Sequence, residues 1–243
     1  MTQTPLRAGI IAAGDGARLQ AAYPGLPKPL VPVAGRPLAE WVVGPLEEAG
    51  VRSIVMLLNS RGRAVRQHLK TRFPSVQWTF LEKDTPTSWE SFRLVSRALS
   101  GTSARFLLTT CDWIAPAEDV ARFARAAAGA LQSGSDGCLA VTRFVDDEKP
   151  LWAELDRSGK VAALGDAAKD AGLVTCGLYG LTREMADLMP APAAHARLRD
   201  YWISLIADGR RIAGVELGKT MDVDRPEDVA AAEAFLASAG ARS

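Results

Sequence analysis

Residues 8–38 read AGIIAAGDGARLQAAYPGLPKPLVPVAGRPL, and the punctuation of this stretch sets the fold. Residues 8–13 are a short apolar run of the length expected for a buried strand. Gly14 and Gly16 follow, then Arg18, and a proline-rich segment delivers Lys28 before the turn at Ala34-Gly35-Arg36-Pro37. A glycine turn after a strand lets several backbone N–H groups approach an anion, because no Cβ stands in the way. Arg18 adds a planar cationic fork and Lys28 a point charge. Together they predict a triphosphate cradle, with Ala12, Ala13, Gly14, Asp15 and Gly16 as nucleotide-binding positions. Two phosphate motifs are excluded. The third glycine of a Rossmann fingerprint would fall at Leu19, and no Gly-Lys-Ser/Thr of a P-loop follows the turn. On Gly14 and Gly16 alone, a plain strand-turn-helix with surface basic residues stays open.

The chain has 243 residues, enough to bury a sizeable core as one large α/β domain or two small ones. With 29 Lys plus Arg against 28 Asp plus Glu, the net charge is +1, so nothing calls for nucleic acid or a membrane surface as partner. Cys111, Cys138 and Cys176 are odd in number and widely spaced, which disfavours a disulfide framework or a zinc site and fits a reducing cytoplasm. The N-terminus MTQTPLR is polar, and the apolar run behind it is too short for a signal segment or a membrane span.

Along the chain, the spacing predicts a helix over 38–50, a strand over 53–58, a mostly exposed helix over 61–73 and a shorter strand over 76–81. The repeated strand-helix order argues for a mostly parallel sheet with helices on both faces, whose ligands sit outside the carboxyl ends of the strands. Thr87 or Ser88 is placed to N-cap a helix through Leu94, Val95 and Leu99. Residues 105–112 read RFLLTTCD, a strand running into Asp112 at its carboxyl end. Mg²⁺ on phosphates takes one or two protein carboxylates, so Asp112 is the first metal-ligand candidate. Cys111 reads as a small buried residue, since no His or basic neighbour would lower its pKa. A helix over 118–131, a loop over 133–137 and a strand over 138–142 follow. Residues 152–156 and 161–164 around the turn Arg157-Ser158-Gly159-Lys160 predict an antiparallel hairpin. The two histidines, His68 and His195, read as surface residues. Near the C-terminus, Asp222 and Asp224 precede Arg225-Pro226, which opens a last helix with Asp224 placed to cap it.

Gly14-Asp15-Gly16-Ala17-Arg18, followed by Pro27-Lys28-Pro29-Leu30, Pro32-Val33 and Gly35-Arg36-Pro37-Leu38, resembles the signature of the sugar-phosphate nucleotidyltransferases, a family of GT-A-like fold. The loop at 20–26 departs from the Thr and Pro common there. The resemblance implies one Rossmann-like GT-A-type domain over 1–243, with a nucleotide-binding half near 1–135 and an acceptor-side half near 136–243. It implies Arg18 and Lys28 as catalytic residues, Ser88 and Ser91 beside the nucleoside, and Mg²⁺ as cofactor held by Asp112 and Asp222, with Asp224 left as cap or auxiliary. It also implies an acceptor held near Trp152, Glu154 and Gly177, in a half where Asp-Glu-Lys-Pro at 147–150 and Thr175-Cys176-Gly177 resemble polyol-phosphate and phosphonate-type cytidylyltransferases about as well as the half resembles hexose-phosphate relatives, whose Glu-Lys pair after the hairpin is replaced by residues 165–170 here.

The expected partners are a nucleoside triphosphate, CTP or UTP favoured, and a small phosphorylated acceptor: a sugar 1-phosphate, a polyol phosphate or a phosphonate. Monomer and homo-oligomer both stay open. Two other classes are weighed against this reading. A GT-A glycosyltransferase would use a nucleotide-sugar through an Asp-x-Asp motif, and Thr110 stands two before Asp112. A non-catalytic nucleotide-binding homologue would not need Arg18, Lys28, Asp112 and Asp222 together.

Overall fold

The apolar run at the start of the signature is strand β1 (Arg7–Ala12). Next come the short strands β2 (Pro32–Val33) and β3 (Arg36–Pro37), helix α1 (Leu38–Glu48), β4 (Ser53–Leu58), α2 (Arg63–Arg72), β5 (Gln77–Glu82) and α3 (Ser88–Ser100). The chain continues through β6 (Arg105–Thr110), β7 (Trp113–Ile114), α4 (Ala117–Gln132), β8 (Gly137–Thr142), β9 (Trp152–Leu155), β10 (Val161–Leu164) and β11 (Leu173–Thr182). It ends with α5 (Arg183–Asp187), α6 (Leu198–Ala207), β12 (Ile212–Leu217), β13 (Met221–Asp222) and α7 (Pro226–Gly240). This computed structural model describes residues 6–145 and 149–240, without the side chains of 239 and 240. The N-terminal residues 1–5, and Asp147 and Glu148 of the acceptor-side motif, lie outside the described residues.

Among the described residues nine strands form one mixed sheet, in the order β5-β4-β1-β6-β11-β8-β12, with the β9–β10 hairpin joined to the start of β11. Strands β5, β4, β1 and β6 run parallel. Strand β11 runs against both β6 and β8, and β12 lies parallel to β8. Helices cover both faces, which is why β4 and β6 read as nearly continuous apolar runs. Alternate residues of β1 divide between the faces. Ala8, Ile10 and Ala12 pack with Val42 and Leu46 of α1, Leu69 of α2 and Phe123 of α4. On the other side Ile11 packs with Phe92 and Val95 of α3 and Trp202 of α6.

The chain order creates the site. From β1 the chain moves outward through β4 to β5, returns across α3, and lays β6 on the other side of β1. The turns that follow β1 and β6 therefore diverge, and a crevice opens at their carboxyl ends. Thr87 caps α3, its hydroxyl accepting from the Glu90 N–H at 3.1 Å.

Both histidines are half-buried, at the surface but with specific partners. His68 turns inward from α2, its Nε2 2.8 Å from Oε1 of Glu40, a buried carboxylate that also meets Arg72 Nε at 3.1 Å and Arg36 Nε at 3.5 Å. A carboxylate buried under α2 recruits whatever cations that helix offers. His195 lies outside any α-helix and stands edge-on to Trp89, ring centroids 5.1 Å apart.

Burial pushes the Glu40 carboxyl up, but hydrogen bonds from His68 and Arg72 and their charges outweigh it and hold its pKa below the ordinary 4.5. A lowered folded-state pKa means stability that is present above the unfolded value and lost as pH falls through the folded one. Glu40→Gln is expected to cost about 1–3 kcal/mol at pH 7 by urea unfolding. The difference from the native chain shrinks as the pH drops below about 4.

Candidate active site

Three segments distant in sequence meet where β1 and β6 end. The first is the glycine loop. Gly16 has φ +60°, and a Cβ there would lie 2.8 Å from Cβ of Lys28, so only glycine combines this backbone with so close an approach of the lysine stem. Past the loop, Leu19 is fully buried and anchors a 3₁₀ turn, and a second 3₁₀ turn over Lys28–Leu30 presents Lys28 on the buried Pro29.

The second segment is the turn after β6, which carries Asp112. The third is the extended stretch before α7. It is held to the second by the β7–β13 ladder, with Met221 opposite Ile114 and Asp222 opposite Trp113, and by a 2.7 Å bond from Val223 N–H to the Asp112 carbonyl. Lys28 Nζ donates to Asp112 Oδ2 at 3.2 Å and to Asp224 Oδ1, and Arg18 lies 3.9 Å from the other oxygen of Asp224. An open cleft of about 350 Å³ lies above, lined by Ala12, Gly14, Asp15, Gly16, Arg18, Lys28, Asp112 and Asp224.

The electrostatics of this trio are mutual. Burial alone would pull the Lys28 pKa down, but the charges of Asp112 and Asp224 and their hydrogen bonds outweigh it, and the pKa is raised. Burial pushes Asp112 up, yet the Lys28 charge and hydrogen bonds from Thr110 and Lys28 prevail and hold it below the ordinary carboxylate value. Both groups are thus charged across the neutral range. Cys111, beside Asp112, is buried and its thiol is pushed up to about 12, so it carries no nucleophilic chemistry. All three cysteines are free and buried.

The placement of the expected residues is uneven. Ala12, Gly14, Asp15, Gly16, Arg18, Lys28 and Asp112 come together on the cleft, whereas Ala13 faces the opposite core. Asp224, not Asp222, takes the position opposite Asp112. Asp222 pairs across the ladder; burial pushes up the Cys176 thiol and the Tyr179 hydroxyl of β11, and the Asp222 charge adds to both shifts. Nor does Asp224 cap α7: the Asp228 carboxylate does so, accepting the N–H groups of Asp224 and Arg225 at 2.9 and 2.8 Å.

Ser91 is buried with its hydroxyl 2.6 Å from that of Thr85, and Ser88 accepts the Leu198 N–H at 3.1 Å. Neither serine lines the cleft, because α3 uses both to fix its own start and its contact with α6. Trp152 and Glu154 lie on β9, beyond β11. Gly177 sits at the irregularity of β11 and accepts the Thr109 hydroxyl at 2.8 Å, directly behind the turn that carries Asp112.

A Mg²⁺ ion suits this donor set. Two carboxylates already converge on one cation, the Lys28 ammonium, and a hard divalent ion takes one or two carboxylates and completes its shell with phosphate oxygens and water.

The sequence reading missed Asn59 and Arg61, which follow β4. Asn59 is buried with its amide 3.4 Å from the Ala13 carbonyl, and Arg61 donates to Asp15 Oδ1 at 2.7 Å. The available signal was parallel pairing: a strand beside β1 ends in a turn beside the glycine loop.

Residues 8–199 match the MobA-like NTP transferase domain family. A CMP-5'-(3-aminopropyl)phosphonate synthase from Streptomyces rubellomurinus is 29% identical over 61% of this chain and 26% of its own length. A bifunctional IPC transferase and DIPP synthase from Rubrobacter xylanophilus is 27% identical over 94% of this chain and 51% of its own length. The chain thus spans about a quarter and about half of these two relatives. The inositol-1-phosphate CTP transferase from T. maritima superposes with TM-score 0.77 at 18% identity, covering 93% of this chain and 92% of that one, and so shares the fold.

Lys28→Ala leaves the two carboxylates facing each other. Because Asp112 and Asp224 are each more than a third exposed, water screens part of the repulsion, and a loss of about 1–2 kcal/mol is expected by urea unfolding at pH 7. Adding Asp112→Asn should recover part of it.

Proposed function

The chain belongs to the family of MobA-like NTP transferase domains, and from that premise we propose that it is a Mg²⁺-dependent nucleotidyltransferase acting on a small phosphorylated acceptor. An acceptor oxygen bonds to the α-phosphorus of a nucleoside triphosphate, the bond from that phosphorus to the bridging oxygen breaks, and pyrophosphate leaves with the electron pair. The observation that carries this reading is Lys28 held between Asp112 and Asp224 at the rim of the glycine loop.

A phosphate monoester is already anionic at neutral pH, so the protein need supply no nucleophile or base. Catalysis is then positioning and charge neutralisation. The loop amides of Gly14 to Gly16 receive the phosphates, and Arg18 and Lys28 neutralise the charge that grows on the departing oxygens. Asp112 and Asp224 would hold Mg²⁺, which when bound spreads positive charge across the triphosphate.

CTP is the favoured nucleotide, with UTP second, since the Streptomyces relative is named for a CMP-phosphonate product. The acceptor is a polyol phosphate, a phosphonate or a sugar 1-phosphate, placed on the side of Gly177, Trp152 and Glu154. A cytoplasmic location is part of the proposal and suits three free thiols. Among the described residues no helix is long and apolar enough to cross a membrane.

A pyrophosphate-release screen of four nucleoside triphosphates against sugar, polyol, choline and phosphonate acceptors tests the assignment, and turnover with no pair would overturn it. With the active pair, Lys28→Ala, Asp112→Ala and Asp224→Ala are each expected to lower kcat/KM by about 10²-fold or more. Asp222→Ala is expected to cost less than about tenfold, and equal losses at 222 and 224 would return Asp222 to the metal.

A further inference from the structure

The phosphate loop carries an acidic residue at its apex. Asp15 stands between Gly14 and Gly16, lines the cleft, and leaves its side chain 77% exposed. A carboxylate at that point repels the triphosphate that the loop amides and Lys28 attract. Its partner comes from a different element. Arg61 donates from one guanidinium nitrogen to Asp15 Oδ1 at 2.7 Å and reaches the Asp15 carbonyl at 3.4 Å.

The base from which Arg61 reaches across is fixed on both sides. Asn59, buried after β4, accepts the Arg61 N–H at 3.1 Å while its amide faces the carbonyls of Ala13 and Gly14. Ser60 bonds to Asp84 through its N–H at 3.0 Å and its hydroxyl at 3.2 Å. At Gly62 a Cβ would lie 2.5 Å from Cβ of Leu58, so the turn closes only with glycine. The ion pair itself is exposed on both sides and contributes little to stability. A rigid turn that ends in a pair of small energetic value points to a purpose other than folding.

We infer that Arg61 is a positioning residue for the phosphate loop: it neutralises Asp15 and holds that carboxylate at the edge of the cleft, so that the loop presents net positive charge to a triphosphate. This rests on the triphosphate reading of the cleft. A neighbouring cavity of about 260 Å³, lined by Arg61, Asn59 and Gln20, shares Gly14, Asp15 and Lys28 with the cleft, so Arg61 reaches Asp15 from outside the proposed phosphate site.

The test is titration calorimetry with inorganic tripolyphosphate and Mg²⁺, a probe with no base. Arg61→Ala is expected to weaken binding about tenfold, equivalent to about 1.4 kcal/mol, in the otherwise native chain, and less than about twofold in the D15N background. Arg61→Lys, which keeps the charge, should stay within about threefold of the native chain. Equal losses in both backgrounds would mean that Arg61 grips phosphate directly, and no loss in either would mean that it has no role; both overturn the inference. Lys28→Ala is the separate control. If it binds the probe as tightly as the native chain, the triphosphate reading itself fails and the inference falls with it.

Discussion

The ammonium of Lys28, held between the carboxylates of Asp112 and Asp224, is the contact on which the rest of the site depends. A lysine buried over the carboxyl ends of central strands without partners would lose its charge or its place, because desolvating an ion is costly unless opposite charge lies within reach. Here the two partners come from segments 84 and 196 residues away. Each supporting feature can be understood as delivering one member of the trio. The glycine loop admits the lysine stem, β6 ends at Asp112, and the two-residue strands β7 and β13 exist to bring residues 221–224 against it.

Around this trio the protein balances charge closely. Arg18, Lys28 and Arg61 face Asp224, Asp112 and Asp15 in four ion contacts of very different exposure. The buried member is rigid and the exposed ones can yield. Under the proposed function this is an economical arrangement: an incoming triphosphate brings its own negative charge and its metal, and Arg18 and Lys28 already stand where that charge arrives. The carboxylates hold the cations in place beforehand, so little reorganisation is left for the moment of reaction.

Legibility followed the range of the forces involved. The strands β1, β4 and β6, the β9–β10 hairpin and Asp112 could be read because apolar runs, turn residues and a strand-ending carboxylate are local signals. Ser91 misled because a serine at a helix start looks the same whether it faces a ligand or Thr85. His68 looked superficial within a run of arginines, and its inward turn depends on Glu40, 28 residues away on another helix. Strand β12 and helix α6 left no distinct mark, since each takes its place from β8 and from the aromatic cluster of Trp89, Tyr179 and Trp202.

The sequence by itself determined that a glycine loop follows the first strand, that Lys28 comes after it in the same stretch, and that an α/β sheet presents both with Asp112. Those facts are written in glycine, proline and apolar spacing, which act over a few residues. Only the tertiary structure decided which of two aspartates, 222 or 224, completes the trio, and that Arg61 reaches Asp15. Both outcomes depend on where separate chain segments come to rest. The register of a two-residue ladder, or the end of a neighbouring parallel strand, sets them, and no local pattern encodes either.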